Sequence, residues 1–158
     1  MEERPHITEY FKVIDPFGDY QEGDEVALSL YDHYLELTGR GDPIRIDYDD
    51  ITGAVHGTAD QLRRTGRRAV VGGLVGDVVG SVFGVQDLGE LIGAGVGFST
   101  SGFHKDEYHK RLLITYKDEE GNDALVHLLD EKNKYGKEIA KELSEYGRIR
   151  VEKRHEDF

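Results

Sequence analysis

The feature that most constrains this chain is a ladder of glycines in its middle, "GGLVGDVVGSVFG" at residues 72–84. Glycine stands at Gly72, Gly76, Gly80 and Gly84, and "GELIGAGVG" repeats the spacing at Gly89, Gly93 and Gly97. Nearly everything between them is Val, Leu, Ile, Ala or Phe. A four-residue spacing keeps the glycines on one side of an α-helix, where a second backbone can approach closely. Two ladders joined by "VQD" therefore predict a helical hairpin, glycine face to glycine face. Each glycine costs a helix about 0.8–1 kcal/mol relative to alanine. Such a hairpin needs burial in the protein's own core, in an oligomer or in a membrane.

Length and charge bear on that choice. Residues 69–85 as a helix reach about 26 Å, short of a bilayer core of about 30 Å. Asp77, Asp87 and Glu90 interrupt the apolar run. These features favour self-association or core burial over spanning, with shallow insertion into one leaflet as the alternative. The flanks are basic: Arg63, Arg64, Arg67 and Arg68 precede the ladder, and His104 and Lys105 follow it. The arginines are candidates for contact with anionic lipid or an acidic partner, against the plainer role of a solvated loop. The remainder is acidic. Residues 1–60 hold 15 acids against 4 bases, and the whole chain carries a net charge of -12. That balance opposes broad nucleic-acid binding, which relies on Lys and Arg meeting phosphates. The 158 residues contain no cysteine, so neither disulfides nor thiolate chemistry enter. With no apolar leader segment at the start, the expected location is the cytoplasm, with membrane association possible through the ladder.

Around the insert the pattern has period two. "EVALSLYDHYLELTG" reads as a hairpin turning at Asp32-His33, "IRIDY" as a third strand, and "ITGAVHG" as a fourth after a turn at Asp49-Asp50. "EYFKVID" upstream reads as a short leader strand. After the insert, "KRLLITYKD", "EEGND" and "DALVHLLD" form a strand, a turn and a returning strand. "KYGKEIAKELSEY" then places Tyr135, Ile139, Leu143 and Tyr146 on one helical face, capped by Asn133 and ended by Gly147. A last strand is expected at residues 148–152.

The expected architecture is α+β: one domain over residues 1–158, a small, partly open antiparallel barrel closed by the C-terminal helix, with residues 66–102 as the apolar hairpin insert. The segments "GDEVALSLYDHYLELTG", "IRIDYDDITGAV" and "KRLLITYKDEEGNDALVHLL" followed by the helix resemble the pleckstrin-homology-like fold of bacterial and archaeal small proteins. In such proteins a glycine-rich apolar segment often separates the two strand blocks. Phosphoinositide-binding members present Lys and Arg around the first hairpin turn. Here that turn reads "YDHY", so the resemblance implies no phosphoinositide site.

Catalytic signatures are weak. "GAGVG" at residues 93–97 lacks the preceding strand and the following acid of a dinucleotide fingerprint. "HKDEYH" gathers His104, Asp106, Glu107 and His109, which fits a solvated strand start better than a metal site. His56 and His127 fall in strand-like segments and read as packed or surface histidines. The expectation is a non-enzymatic module without cofactor or metal, self-associating through its glycine ladders. A peripheral membrane protein is the alternative, and a metal-dependent enzyme a distant third.

Overall fold

The computed structural model describes residues 4–58, 79–82, 109–132 and 135–156. Among these residues eight strands form one antiparallel sheet. They are β1 (Ile7–Val13), β2 (Glu25–Leu30), β3 (Tyr34–Thr38), β4 (Ile44–Asp47), β5 (Ile51–Thr58), β6 (Val79–Val82), β7 (Lys110–Lys117) and β8 (Asp123–Asp130). A 3-10 turn at Tyr48–Asp50 separates β4 from β5, and the single described α-helix, α1 (Tyr135–Glu156), follows the strands. The strand order is β4-β3-β2-β1-β8-β7-β5-β6.

Two antiparallel blocks meet at the β1–β8 seam. In the first, β1 pairs β2 from Ile7↔Leu30 to Lys12↔Glu25, and β3 continues from Ala27↔Thr38 to Leu30↔Leu35. The alternation in "EVALSL" and "YLELT" explains this: Val26, Leu28, Leu30, Leu35 and Leu37 are wholly buried. In the second block β7 pairs β8 from Lys110↔Asp130 to Lys117↔Asp123, and β5 on its other side. Here both faces are buried. Ala54, Leu112, Ile114, Val126 and Leu128 join the main core, while Val55, Leu113 and Leu125 fill the opposite face. That accounts for the near-continuous apolar runs in these strands.

Helix α1 lays Ile139, Ala140 and Leu143 on the core, all essentially inaccessible. Each buried leucine or isoleucine contributes about 1.5–3 kcal/mol. The ring of Tyr146 lies tilted against Tyr48, with centroids 4.6 Å apart and planes at 31°.

Three expectations need correction. The closed pleckstrin-homology-like barrel does not form: β4 and β6 end the sheet and do not pair with each other, leaving an open sheet packed by a helix. The helical hairpin insert is also overturned where it can be compared. Its described portion is strand β6, with Gly80 opposite Val55 and Ser81 opposite Ala54. A spacing of four is an even number, so it aligns residues along a strand face as well as along a helix face. The β-branched valines of "VGSV" then favour the extended form. The third correction is at the C-terminus. Gly147 does not end α1, and no strand follows at 148–152; the helix continues to Glu156. The long Arg, Lys and Glu side chains after Gly147 are good helix formers, and one interior glycine costs only about 1 kcal/mol. Asn133 lies outside the described residues.

Candidate functional site

Charged and ionisable side chains gather inside the second block, where apolar ones would be expected. Asp15, His56, Arg111, His127 and Asp130 are between 0% and 5% exposed. They fall into two groups on opposite faces of β8, because successive strand residues point to opposite sides.

The first group stands under the start of α1. Asp130, the last residue of β8, turns its carboxylate to the core face. Its Oδ2 accepts hydrogen bonds from His56 Nε2 and from the Gly136 backbone N–H, each at 2.8 Å. The carboxylate thereby caps the helix from six residues upstream, satisfying a donor that helix geometry leaves open. Accepting from the imidazole requires the proton on Nε2. Gly136 is needed for the approach: a Cβ there would lie 2.6 Å from His56 Cδ2 and 3.3 Å from Leu112 Cβ. Burial alone would raise the Asp130 pKa. The His56 bond and the backbone N–H groups outweigh it, and the carboxyl sits below its ordinary 3.8.

The second group lies on the other face. His127 Nδ1 is 2.8 Å from Asp15 Oδ2, and its Nε2 is 3.4 Å from Arg111 Nη1. The guanidinium can only donate, so Nε2 accepts and Nδ1–H donates to the carboxylate. His127 is thus a neutral ring bridging a cation and an anion. Burial pushes its pKa below the ordinary 6.5, and Arg111 pushes the same way against the pull of Asp15. The Ile14 N–H also donates to the His127 carbonyl at 3.1 Å, which fastens the chain leaving β1 onto β8.

Both groups are sealed. A cleft of about 430 Å³ is lined by His6, Glu142, Glu145 and Tyr146, and none of the five buried residues borders it. The histidines and aspartates pair with each other and with the backbone, but His56 Nδ1 and Asp130 Oδ1 are buried with no hydrogen-bond partner among the described residues. That arrangement holds charged and ionisable groups inside the fold.

Of the sequence candidates, Gly80 lies in the edge strand β6, and His109 stands immediately before β7. Gly72, Gly76, Gly84, Gly89, Gly93 and Gly97 lie outside the described residues, as do Arg63, Arg64, Arg67, Arg68, His104, Asp106 and Glu107. Among the described residues no group of three or more His, Cys, Asp or Glu side chains could hold a metal ion. His56 and His127 are buried, which agrees with the packed-histidine reading. Asp15, Arg111 and Asp130 escaped notice. The available signal was a polar residue at a position flanked by apolar ones on a doubly buried strand, as in "KRLLI" and "LVHLLD". No family model matches this chain, and no curated protein or solved structure matches it either.

Proposed function

We propose that this chain is a non-enzymatic binding or structural module that self-associates through its apolar, glycine-rich segment, residues 66–102. One observation carries the reading: the two sheet edges are built differently. At one end β4 places Arg45 and Asp47 outward, with Arg45 held by Glu36 at 3.5 Å and its guanidinium 4.0 Å from the Tyr34 ring centroid. Charges of this kind blunt an edge against pairing. At the other end β6 reads Val79-Gly80-Ser81-Val82, with no charge, and among the described residues nothing pairs with its outer side. An unguarded edge is a template for another strand. The segment is suited to a second copy of itself: two antiparallel β6 strands about a two-fold axis set Val79 against Val82 and Gly80 against Ser81.

In this reading the protein works in the cytoplasm as a homo-oligomer, without cofactor and without affinity for nucleic acid or phosphoinositide. Among the described residues no helix is long and apolar enough to cross a membrane. The deciding experiment is sedimentation velocity over about a hundredfold concentration range. An assembly larger than one chain is expected. A monomer throughout would overturn the reading, and flotation of that monomer with anionic vesicles would put peripheral membrane contact in its place.

A further inference from the structure

Backbone direction along β1 decides which neighbour each residue serves. The Val13 N–H donates to the Asp24 carbonyl, just before β2, and the Ile14 N–H donates to the His127 carbonyl of β8. Polar groups of successive strand residues point to opposite edges. Ile7, Glu9, Phe11 and Val13 therefore serve β2, while Thr8, Tyr10, Lys12 and Ile14 face the β8 side. β8 reaches only the last two of these. Its register with β1 is Lys12↔Leu129 and Val13↔Leu128. It ends at Asp130, whose carboxylate takes the Gly136 N–H as the chain turns into α1. Among the described residues nothing bonds the N–H and C=O of Thr8 and Tyr10. Both side chains are exposed, Tyr10 at 61%.

This free stretch has open space at each end. A cavity of about 170 Å³ borders Tyr10, Phe11, Leu129 and Tyr135. The cleft of about 430 Å³ borders His6 and, on α1, Glu142, Glu145 and Tyr146. A strand from Phe11 to His6 covers about 16 Å, and a helix from Tyr135 to Tyr146 covers about the same. Strand and helix thus run alongside each other in opposite directions, with the unbonded β1 edge between the two cavities.

We propose that the edge of β1 from Thr8 to Tyr10 is a docking site for an extended basic peptide, which adds as a strand antiparallel to β1 where β8 has ended.

The backbone supplies the affinity and charge selects the peptide. Glu9 shares the α1 face of β1 with Ile7 and Phe11 and is half-buried. Neither Glu9 nor Glu142 makes an ion pair among the described residues. The smaller cavity is balanced: Lys12 is held by Glu131 at 3.0 Å, and Lys132 and Glu25 both stand on its wall. Opposed residues in an antiparallel pair share a face. A lysine or arginine opposite Glu9 meets that carboxylate. The next on the same face, opposite Ile7, is directed towards the cleft, where Glu142 and the Tyr146 ring suit a cation. The residues between them, opposite Thr8 and Tyr10, give their N–H and C=O to the β1 edge.

The probe is an end-blocked peptide, Thr-Lys-Val-Lys-Val-Lys, added to the full chain. Amide exchange should show Thr8 and Tyr10 unprotected in the free chain and protected at saturation, with Glu9 protected in both. Anisotropy of the labelled peptide gives the affinity. N-methylation of the valines removes the donors aimed at β1 and should cost at least about tenfold. N-methylation of the lysines, whose N–H groups face away, should cost far less. Glu142→Gln should weaken binding about threefold to fivefold at low salt. Tyr10→Pro deletes only an outward donor, so it should melt near the parent and lose at least about tenfold in affinity. Should that variant not fold, the two methylated peptides on the parent decide. Equal weakening by both methylation patterns would reduce the contact to charge alone and overturn the proposal. So would equal binding of Thr-Glu-Val-Glu-Val-Glu, or protection of Thr8 and Tyr10 before any peptide is added, which would mean that the edge is already filled.

Discussion

At the scale of single residues, Gly136 and Asp130 show how closely the helix is fitted to the sheet. A Cβ at Gly136 would meet His56 Cδ2 at 2.6 Å, and that ring is fixed by its bond to Asp130 and cannot swing away. Alanine is the better helix former by about 1 kcal/mol. The clash nonetheless wins, because overpacking typically costs about 1–3 kcal/mol. Gly136→Ala should lower the midpoint of denaturant unfolding, and a raised midpoint would mean that His56 has room to yield. Asp130→Ala should cost more, about 3–5 kcal/mol, since it strands a buried imidazole and a helix N–H together. Asp118→Ala is the control. Its carboxylate accepts two backbone N–H groups in the exposed β7–β8 turn, where water can replace it. The pH dependence has a definite sign. The folded Asp130 carboxyl titrates below its ordinary 3.8, so its contribution is full above that value and fades as pH falls through the folded value. The stability gap between parent and Asp130→Ala should therefore hold constant down to about pH 4 and narrow below it. A gap that narrows nearer neutrality would refute the assignment.

Individual elements were legible in proportion to how much of their pattern is local. The hairpin of β2 and β3 and the strands β4, β5, β7 and β8 follow from period-two alternation and turn residues, and Gly121 adopts the left-handed φ of 83° that its turn requires. The apolar face of α1 followed from helical spacing, and Ile139 and Leu143 are buried where that face placed them. What failed rested on ambiguous or non-local information. A spacing of four cannot tell helix from strand at Gly80, so the choice fell to neighbours far away in sequence. The closed barrel required pairing between β4 and β6, which no strand encodes alone. Asp130 capping Gly136, and His127 meeting Asp15 across 112 positions of sequence, depend on the finished sheet. Gly147 belongs to the same class: glycine after an apolar helical face fits a C-terminal cap as well as a helix interior. These alternatives give opposite signs on substitution. Inside a continuing helix, Gly147→Ala should stabilise by about 0.5–1 kcal/mol. At a left-handed cap the same change would destabilise. A thermal melt with helical circular dichroism separates the two, and a lowered Tm would place the helix end at Gly147 after all.

On the scale of the whole molecule, the asymmetry between the charged edge β4 and the edge β6, which no described residue pairs on its outer side, leads to the test of assembly. In an antiparallel strand the N–H and C=O of one residue point to the same side, and those of the next point to the other. Of Gly80 and Ser81, one therefore bonds to β5 and the other directs its N–H away from the sheet. Proline removes one donor wherever it stands, and on an edge strand it is tolerated when that donor faced outward. Gly80→Pro and Ser81→Pro should consequently split. One should lose stability by breaking the β5–β6 ladder. The other should melt close to the parent and yet sediment as a smaller species, because the donor it lacks is one that a second β6 would use. Two other residues check that the effect is local. Arg45→Ala and Asp47→Ala strip charge from β4 and should leave the first assembly intact, while opening the other edge to further growth at high concentration. Should both proline variants sediment like the parent, β6 is not the contact, and the apolar segment must join copies of the chain by some surface other than its strand edge.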